Sequence, residues 1–170
     1  PNATAAVPRG IGTYATSEPI DGVGIRPAQY SPNFAVNNYT YGKTNGMEYT
    51  NAAGAIVTDV HSIGFVWATM LWDLHWKYAE KYGYSSDVMS NNTNGSTRVL
   101  QLVYNALALQ GCNPGFIEGR NAILAAEAAN TETGGADKCM IWNVFAKRGL
   151  GVNAAAGSKT NINDQVEDFT

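Results

Sequence analysis

The chain has 170 residues, 45% of them hydrophobic and only 15% charged, with a formal net charge of -3. That is enough apolar material for one domain with one core, and without a Lys/Arg stripe it argues against nucleic acid as a partner. No apolar run reaches the length of a membrane span, so no membrane partner is expected.

Residues 1–53 are rich in Pro, Gly, Asn, Thr and Tyr and show no sustained period. They predict loop-like chain with short strands at best. So long an irregular stretch is unusual inside a compact domain. It is expected to drape over something, such as a part of the protein outside this chain. The start at Pro1, with no initiator Met and no signal peptide, reads as a mature or processed fragment.

Residues 54–151 are expected to form a helical lobe. Its centre is Asp59 to Tyr84, DVHSIGFVWATMLWDLHWKYAEKYGY. Ile63, Val66, Trp67, Met70, Leu71, Leu74 and Tyr78 recur at helical spacing. Phe65, Trp72 and Trp76 add a second apolar row, so this helix should be buried on most sides. Ser62 is the expected cap and Gly83 the expected stop. His61 then stands immediately before the first turn.

A second helix is predicted from Ser96, as cap, to about Leu109, with Val99, Leu102, Val103, Ala106 and Leu107 as its apolar positions. The CNPG string predicts a third, with Asn113 as cap and Pro114 at its first position, running to about Ala129. A fourth spans roughly Ala136 to Arg148 and buries Met140, Ile141, Val144 and Phe145. Lys147 and Arg148 suit its C-terminal dipole, and Gly149 stops it. Residues 152–170 read as a polar tail with little to anchor it. The expectation is one mainly α domain, an irregular segment followed by a four-helix array.

The two cysteines, Cys112 and Cys139, read either as a reduced buried pair or as a disulfide. Asn-x-Ser/Thr sequons at Asn2, Asn38, Asn91 and Asn94 lean towards export and so towards the bond.

Catalytic motifs are scarce. Two histidines, His61 and His75, cannot supply a three-ligand zinc site. His75, in LHWK on the central helix, reads as a partly buried, hydrogen-bonded residue. There is no Gly-x-Ser-x-Gly elbow, Walker loop or dinucleotide fingerprint. Cys112 has no evident His partner for nucleophilic work. From the residues alone the reading stops at a secreted helical domain.

The strings GIRPAQYSPNFAVNNYTYG, HSIGFVWATMLWDL, ALQGCNPGFIEGRNAILAAE and DKCMIWNVFAKRGLG, in that order, resemble the C-terminal part of fungalysin-type secreted zinc metallopeptidases, relatives of thermolysin. The likeness is collinear from about Pro8 to Asp168. PRGIGTYATSEP and NDQVEDF are more similar to bacterial than to fungal members.

The resemblance implies the C-terminal helical lobe of a secreted, extracellular zinc endopeptidase, closing one wall of its cleft. The family's His-Glu-x-x-His helix and third zinc ligand lie upstream of the part seen here. Zinc in the full enzyme would therefore come with a missing zinc-binding N-terminal lobe, and this chain alone would bind none catalytically. The other partner is a peptide or protein substrate. Arg26 in GIRPAQY corresponds to an Arg that holds a substrate carbonyl on the primed side, using its planar donor fork. His61 corresponds to the His that stabilises the oxyanion. Asp59 is the nearest candidate to orient that His, although its spacing departs from thermolysin's. The resemblance also pairs Cys112 with Cys139. The competing expectation is a non-catalytic helical binding module or a stable autolysis remnant.

Overall fold

Four helices dominate the computed structural model, which describes residues 4–5, 7–89 and 93–170. The sequons at Asn2 and Asn91 lie outside the described residues. A 3-10 turn at Tyr41–Thr44 and a small antiparallel hairpin precede the helices. The hairpin pairs β1, Glu48–Thr50, with β2, Ile56–Thr58. The helices are α1 Val60–Tyr82, α2 Gly95–Leu109, α3 Phe116–Ala128 and α4 Lys138–Lys147. The fold is mainly α, as the periodicity predicts.

Helix α1 is the centre of the core. Val66, Met70, Leu74 and Tyr78 follow one another at i, i+4 and are all sealed from solvent. They meet Val99, Leu102 and Ala106 of α2, Ile123 of α3, and Ile141, Val144 and Phe145 of α4 in one cluster. Each fully buried large apolar side chain contributes about 1.5–3 kcal/mol relative to exposure. The flank row behaves as expected, with Phe65 and Trp76 buried and Trp72 half-buried. On α2 the apolar reading is too wide, because Leu107 is 58% exposed.

The helix starts differ from the sequence reading, earlier than expected at α1 and α2 and later at α3 and α4. At α1 the cap is Asp59, not Ser62. The Asp59 carboxylate accepts the Ser62 N–H at 3.0 Å and the Ser62 hydroxyl at 2.6 Å. An Asp three residues upstream reaches the third amide of the helix, so His61 falls inside the first turn. At α2 the cap is Asn94, accepting from Thr97 N–H at 2.9 Å. Ser96 is instead buried in the helix. Helix α3 begins after Gly115, whose N–H is taken by the Glu118 carboxylate at 3.1 Å. Asn113 has φ 55°, so it cannot be the extended cap residue. Helix α4 starts at Lys138 rather than Ala136.

Gly95 shows how tightly α2 meets α1. A Cβ at this position would stand 2.1 Å from the Tyr78 carbonyl oxygen. Only glycine permits that backbone approach.

The C-terminal residues are anchored, unlike the free tail expected. Gly151 N–H donates to Asp168 O at 2.7 Å and Asp168 N–H to Gly149 O at 2.9 Å. Ala155 pairs with Val166. Glu167 Oε1 accepts the Gly42 N–H at 2.6 Å, and Asn45 exchanges two hydrogen bonds with Gln165. Backbone bonds, which a composition-based reading cannot see, hold this segment.

The expected Cys112–Cys139 bond is absent. Both are free and exposed thiols, so the reduced buried pair fails on burial as well. The Asp137 N–H donates to Glu127 Oε1 at 3.0 Å, which sets the start of α4 beside the C-terminal end of α3. Cys112 precedes the other end of α3. Phe116 to Glu127 covers about 16 Å of helix, while a disulfide needs Cα atoms within about 7 Å.

Candidate functional site

His61 is the second residue of α1 and is exposed, with Val60 beside it 65% exposed. Among the described residues no hydrogen bond engages its imidazole. The ring therefore projects from an open helix end, free to meet a ligand.

Asp59 stands next to it with its carboxylate turned to Ser62. Those two hydrogen bonds hold its pKa below the ordinary carboxylate value. The His61 N–H and the nearby imidazole add smaller pulls the same way. A depressed folded pKa stabilises the fold above the unfolded value of about 3.9. The contribution is lost as pH falls through the folded pKa. Asp59→Ala is accordingly expected to cost about 1 kcal/mol at neutral pH, as for a lost helix cap. In chemical denaturation the difference from the parent should shrink as pH drops below about 4. A difference that is flat down to pH 2 would remove the charged-cap assignment.

Arg26 is half-buried in the irregular segment and donates from Nη1 to its neighbour's Ile25 carbonyl at 3.3 Å. Its guanidinium lies against Tyr30. Burial pushes the Tyr30 phenol up, and the nearby Arg26 charge pulls it partly back. Tyr30 in turn packs on Phe65 at 5.0 Å and Trp72 at 5.8 Å between ring centroids. Phe65 lies one helical turn after His61 on the same stripe of α1. Arg26 and His61 are thus linked through Tyr30 and Phe65 to one flank of the helix.

The opposite side of the first turn carries Ile63, which faces a cleft of about 450 Å³ between the 3-10 turn, the start of α3 and the C-terminal segment.

His75 takes the structural role read for it. Its Nε2 lies 3.2 Å from Ser96 Oγ, its ring packs edge-on against Trp76, and burial lowers its pKa. Fourteen residues of one helix separate it from His61, about 21 Å, so the two cannot share a metal. Among the described residues no group of three His, Cys, Asp or Glu side chains is placed to hold a metal ion.

Sequence reasoning missed the residue that fixes the Arg26 segment in place. Arg148, fully buried, binds the Asp73 carboxylate from Nε at 2.9 Å and from Nη2 at 3.2 Å. Its remaining donors go to the carbonyls of Ser31, Asn37 and Tyr39. This guanidinium bolts residues 31–39 to α1. The signal was available in LWDLHW, where Asp73 interrupts an otherwise apolar helix and so demands a partner.

The profile described as Fungalysin metallopeptidase (M36) matches residues 2–154. The chain is 39% identical over 155 residues to "Extracellular metalloproteinase 3" of Arthroderma otae, covering 88% of this chain and 22% of that protein. It is 41% identical over 149 residues to the protein of the same name from Trichophyton tonsurans, covering 85% and 21%. "Extracellular metalloproteinase mep" of Aspergillus niger is 39% identical over 163 residues, covering 93% and 24%. The chain therefore spans between a fifth and a quarter of the length of these relatives. Among the described residues no helix is long and apolar enough to cross a membrane.

Proposed function

The chain belongs to the fungalysin metallopeptidase family, and from that premise we propose that it forms the C-terminal wall of the active-site cleft of a secreted, extracellular endopeptidase. The zinc-binding lobe is then supplied by polypeptide outside these 170 residues. The observation that carries the reading is the open placement of His61. It is an exposed, unpaired imidazole one turn from Phe65, on which Tyr30 of the Arg26 segment packs.

The family's zinc does not fit the residues present here, since the described ones bring no three-ligand cluster together. The chain's own contribution is electrostatic. His61 donates to the oxygen of the scissile carbonyl as negative charge develops there, an interaction stronger in the transition state than in the ground state. Arg26 grips a neighbouring carbonyl of the peptide with a planar pair of N–H donors. Asp59 supports His61 by fixing the helix turn that carries it.

The irregular N-terminal segment gives further support. Val7, Ile11, Tyr14, Ile20, Val23 and Ile25 are all exposed, Tyr14 at 96%. They occur in the segment that leads into Arg26. Grouped apolar exposure of this kind marks an interaction surface, and the missing lobe is the partner assigned to it.

The 170-residue chain alone is expected to hydrolyse no casein at any zinc concentration. A longer polypeptide that adds the His-Glu-x-x-His lobe should hydrolyse casein and lose the activity to a chelator. Chelator-sensitive turnover by the purified chain alone would overturn the division of labour. An inactive longer polypeptide that nevertheless binds peptides would favour a non-catalytic binding module.

A further inference from the structure

The cleft beside Ile63 is built before any ligand arrives. Its floor is Tyr41 and Phe116, with ring centroids 5.2 Å apart, and its far wall includes Ile162 from the C-terminal segment. That wall is tied down on both sides. The Ile162 carbonyl accepts the Gly46 N–H at 3.1 Å, and Gln165 Nε2 donates to the Asn161 carbonyl at 3.0 Å. Gly157 turns with φ 64°, where a Cβ would collide with the Asp164 carboxylate. Tyr41, Ile63, Phe116 and Ile162 form an apolar part of the 450 Å³ cleft that suits a large apolar side chain, with polar residues such as Asn161 and Gln165 on its rim. At the mouth Glu118 and Lys159 stand 3.9 Å apart, 47% and 70% exposed. So open a pair contributes little by itself, and leaves a carboxylate to accept a peptide N–H and an ammonium to meet a peptide carbonyl.

The position of the cleft says which ligand. His61 and Ile63 lie about 200° apart around the first turn of α1. Arg26 lies four residues before Tyr30, whose ring sits 5.0 Å from Phe65, one turn along α1 on the His61 stripe. A peptide with one carbonyl on Arg26 and its scissile carbonyl on His61 continues around the helix end towards Ile63. It does so with the residues on the amino-terminal side of the scissile bond. A helix about 10–12 Å across corresponds to roughly three residues of extended chain.

We propose that the Tyr41–Phe116–Ile162 cleft binds a bulky apolar side chain of the peptide substrate, about two to four residues on the amino-terminal side of the scissile bond. This rests on the assignment of His61 and Arg26 given above. It adds a specificity site distinct from those two residues.

The test uses the longer peptidase and a set of peptides that vary only at those positions, with Leu, Phe, Ala or Asp. Ile162→Arg places a charged stem in the wall. The Leu-to-Ala ratio of kcat/KM is expected to fall about tenfold, the scale at which apolar pockets discriminate. Ile162→Ala removes one wall by truncation, and should lower the same ratio by a smaller factor should the Arg variant fail to fold. An unchanged ratio in a folded variant overturns the proposal. So does a change confined to residues on the carboxyl-terminal side. A cleft filled by another segment of the same polypeptide would give an unchanged ratio with lowered stability, and counts against it. His61→Ala separates the two claims. It should slow all peptides alike and leave the ratio intact. If it slows none, the catalytic reading fails while the ratio still reports on the cleft.

Discussion

Replacing Arg148 with Met is expected to lower folding stability by about 3–5 kcal/mol, the cost of breaking a buried ion pair from one side. All five N–H donors of this guanidinium are in use. Nε and Nη2 hold Asp73, Nη1 reaches the carbonyls of Asn37 and Tyr39 at 2.6 and 3.2 Å, and Nη2 also reaches Ser31 at 2.8 Å. The Phe34 ring covers the guanidinium at 4.4 Å. Methionine fills similar space but donates nothing. It would leave the Asp73 carboxylate, 3% exposed, with Lys147 as its remaining cation at 2.9 Å. Three carbonyls would lose their donors as well. Domains are stable by only about 5–15 kcal/mol, so the loss is a large share of the total. Urea unfolding should show a lower midpoint at an unchanged slope. The double variant Asp73→Asn, Arg148→Met removes the stranded charge and should be less unstable than the sum of the singles. A loss below 1 kcal/mol for Arg148→Met would mean that residues 31–39 are held by something else.

Arg148 also marks the boundary of what the sequence made legible. Apolar periodicity was sufficient to find all four helices. Val66, Met70, Leu74 and Tyr78 mark the central buried stripe of α1, and Phe65 and Trp76 mark the flank row beside it. Two starts slipped because Asp59 and Asn94 competed with nearby Ser62 and Ser96, and a third because Asn113 takes φ 55° and leaves Gly115 at the cap position. Cap choice depends on which side chain reaches an amide in three dimensions, and spacing alone leaves neighbours nearly equivalent. Placing Lys147 and Arg148 by the helix dipole was a local argument. Their partner Asp73 lies some seventy-five residues away, beyond any local rule. The same holds for the C-terminal residues, whose polar composition suggested a loose tail while their backbone groups were committed to Gly149, Gly151 and Ala155. For the candidate site, the resemblance supplied His61 and Arg26. The contact of Tyr30 with Phe65, which sets the Arg26 segment beside the His61 stripe, joins distant stretches of chain and obeys no local rule. The cleft beside Ile63 draws on four separated stretches of chain and has no linear signature.

In the longer enzyme, His61→Ala is expected to lower kcat and kcat/KM together by on the order of 100-fold, with KM nearly unchanged. The size is that of a missing oxyanion donor, and the pattern is that of a contact made chiefly in the transition state. Three features make His61 suited to the role. It is exposed at the first turn of α1, it has no hydrogen-bond partner among the described residues, and its backbone is fixed by the Asp59 cap. The ring can therefore be aimed without being occupied. Arg26→Ala should behave differently. A guanidinium that grips a carbonyl remote from the developing charge binds ground and transition states alike, so KM should rise with a smaller change in kcat. His61→Gln keeps a neutral donor on a flexible stem and should recover part of the loss, which a purely structural histidine would not predict. Asp59→Ala, which loosens the turn but leaves the imidazole, should fall between the parent and His61→Ala. Unchanged turnover in a folded His61→Ala enzyme would remove the oxyanion role. A rise in KM with kcat intact would make His61 a residue that binds substrate without favouring the transition state.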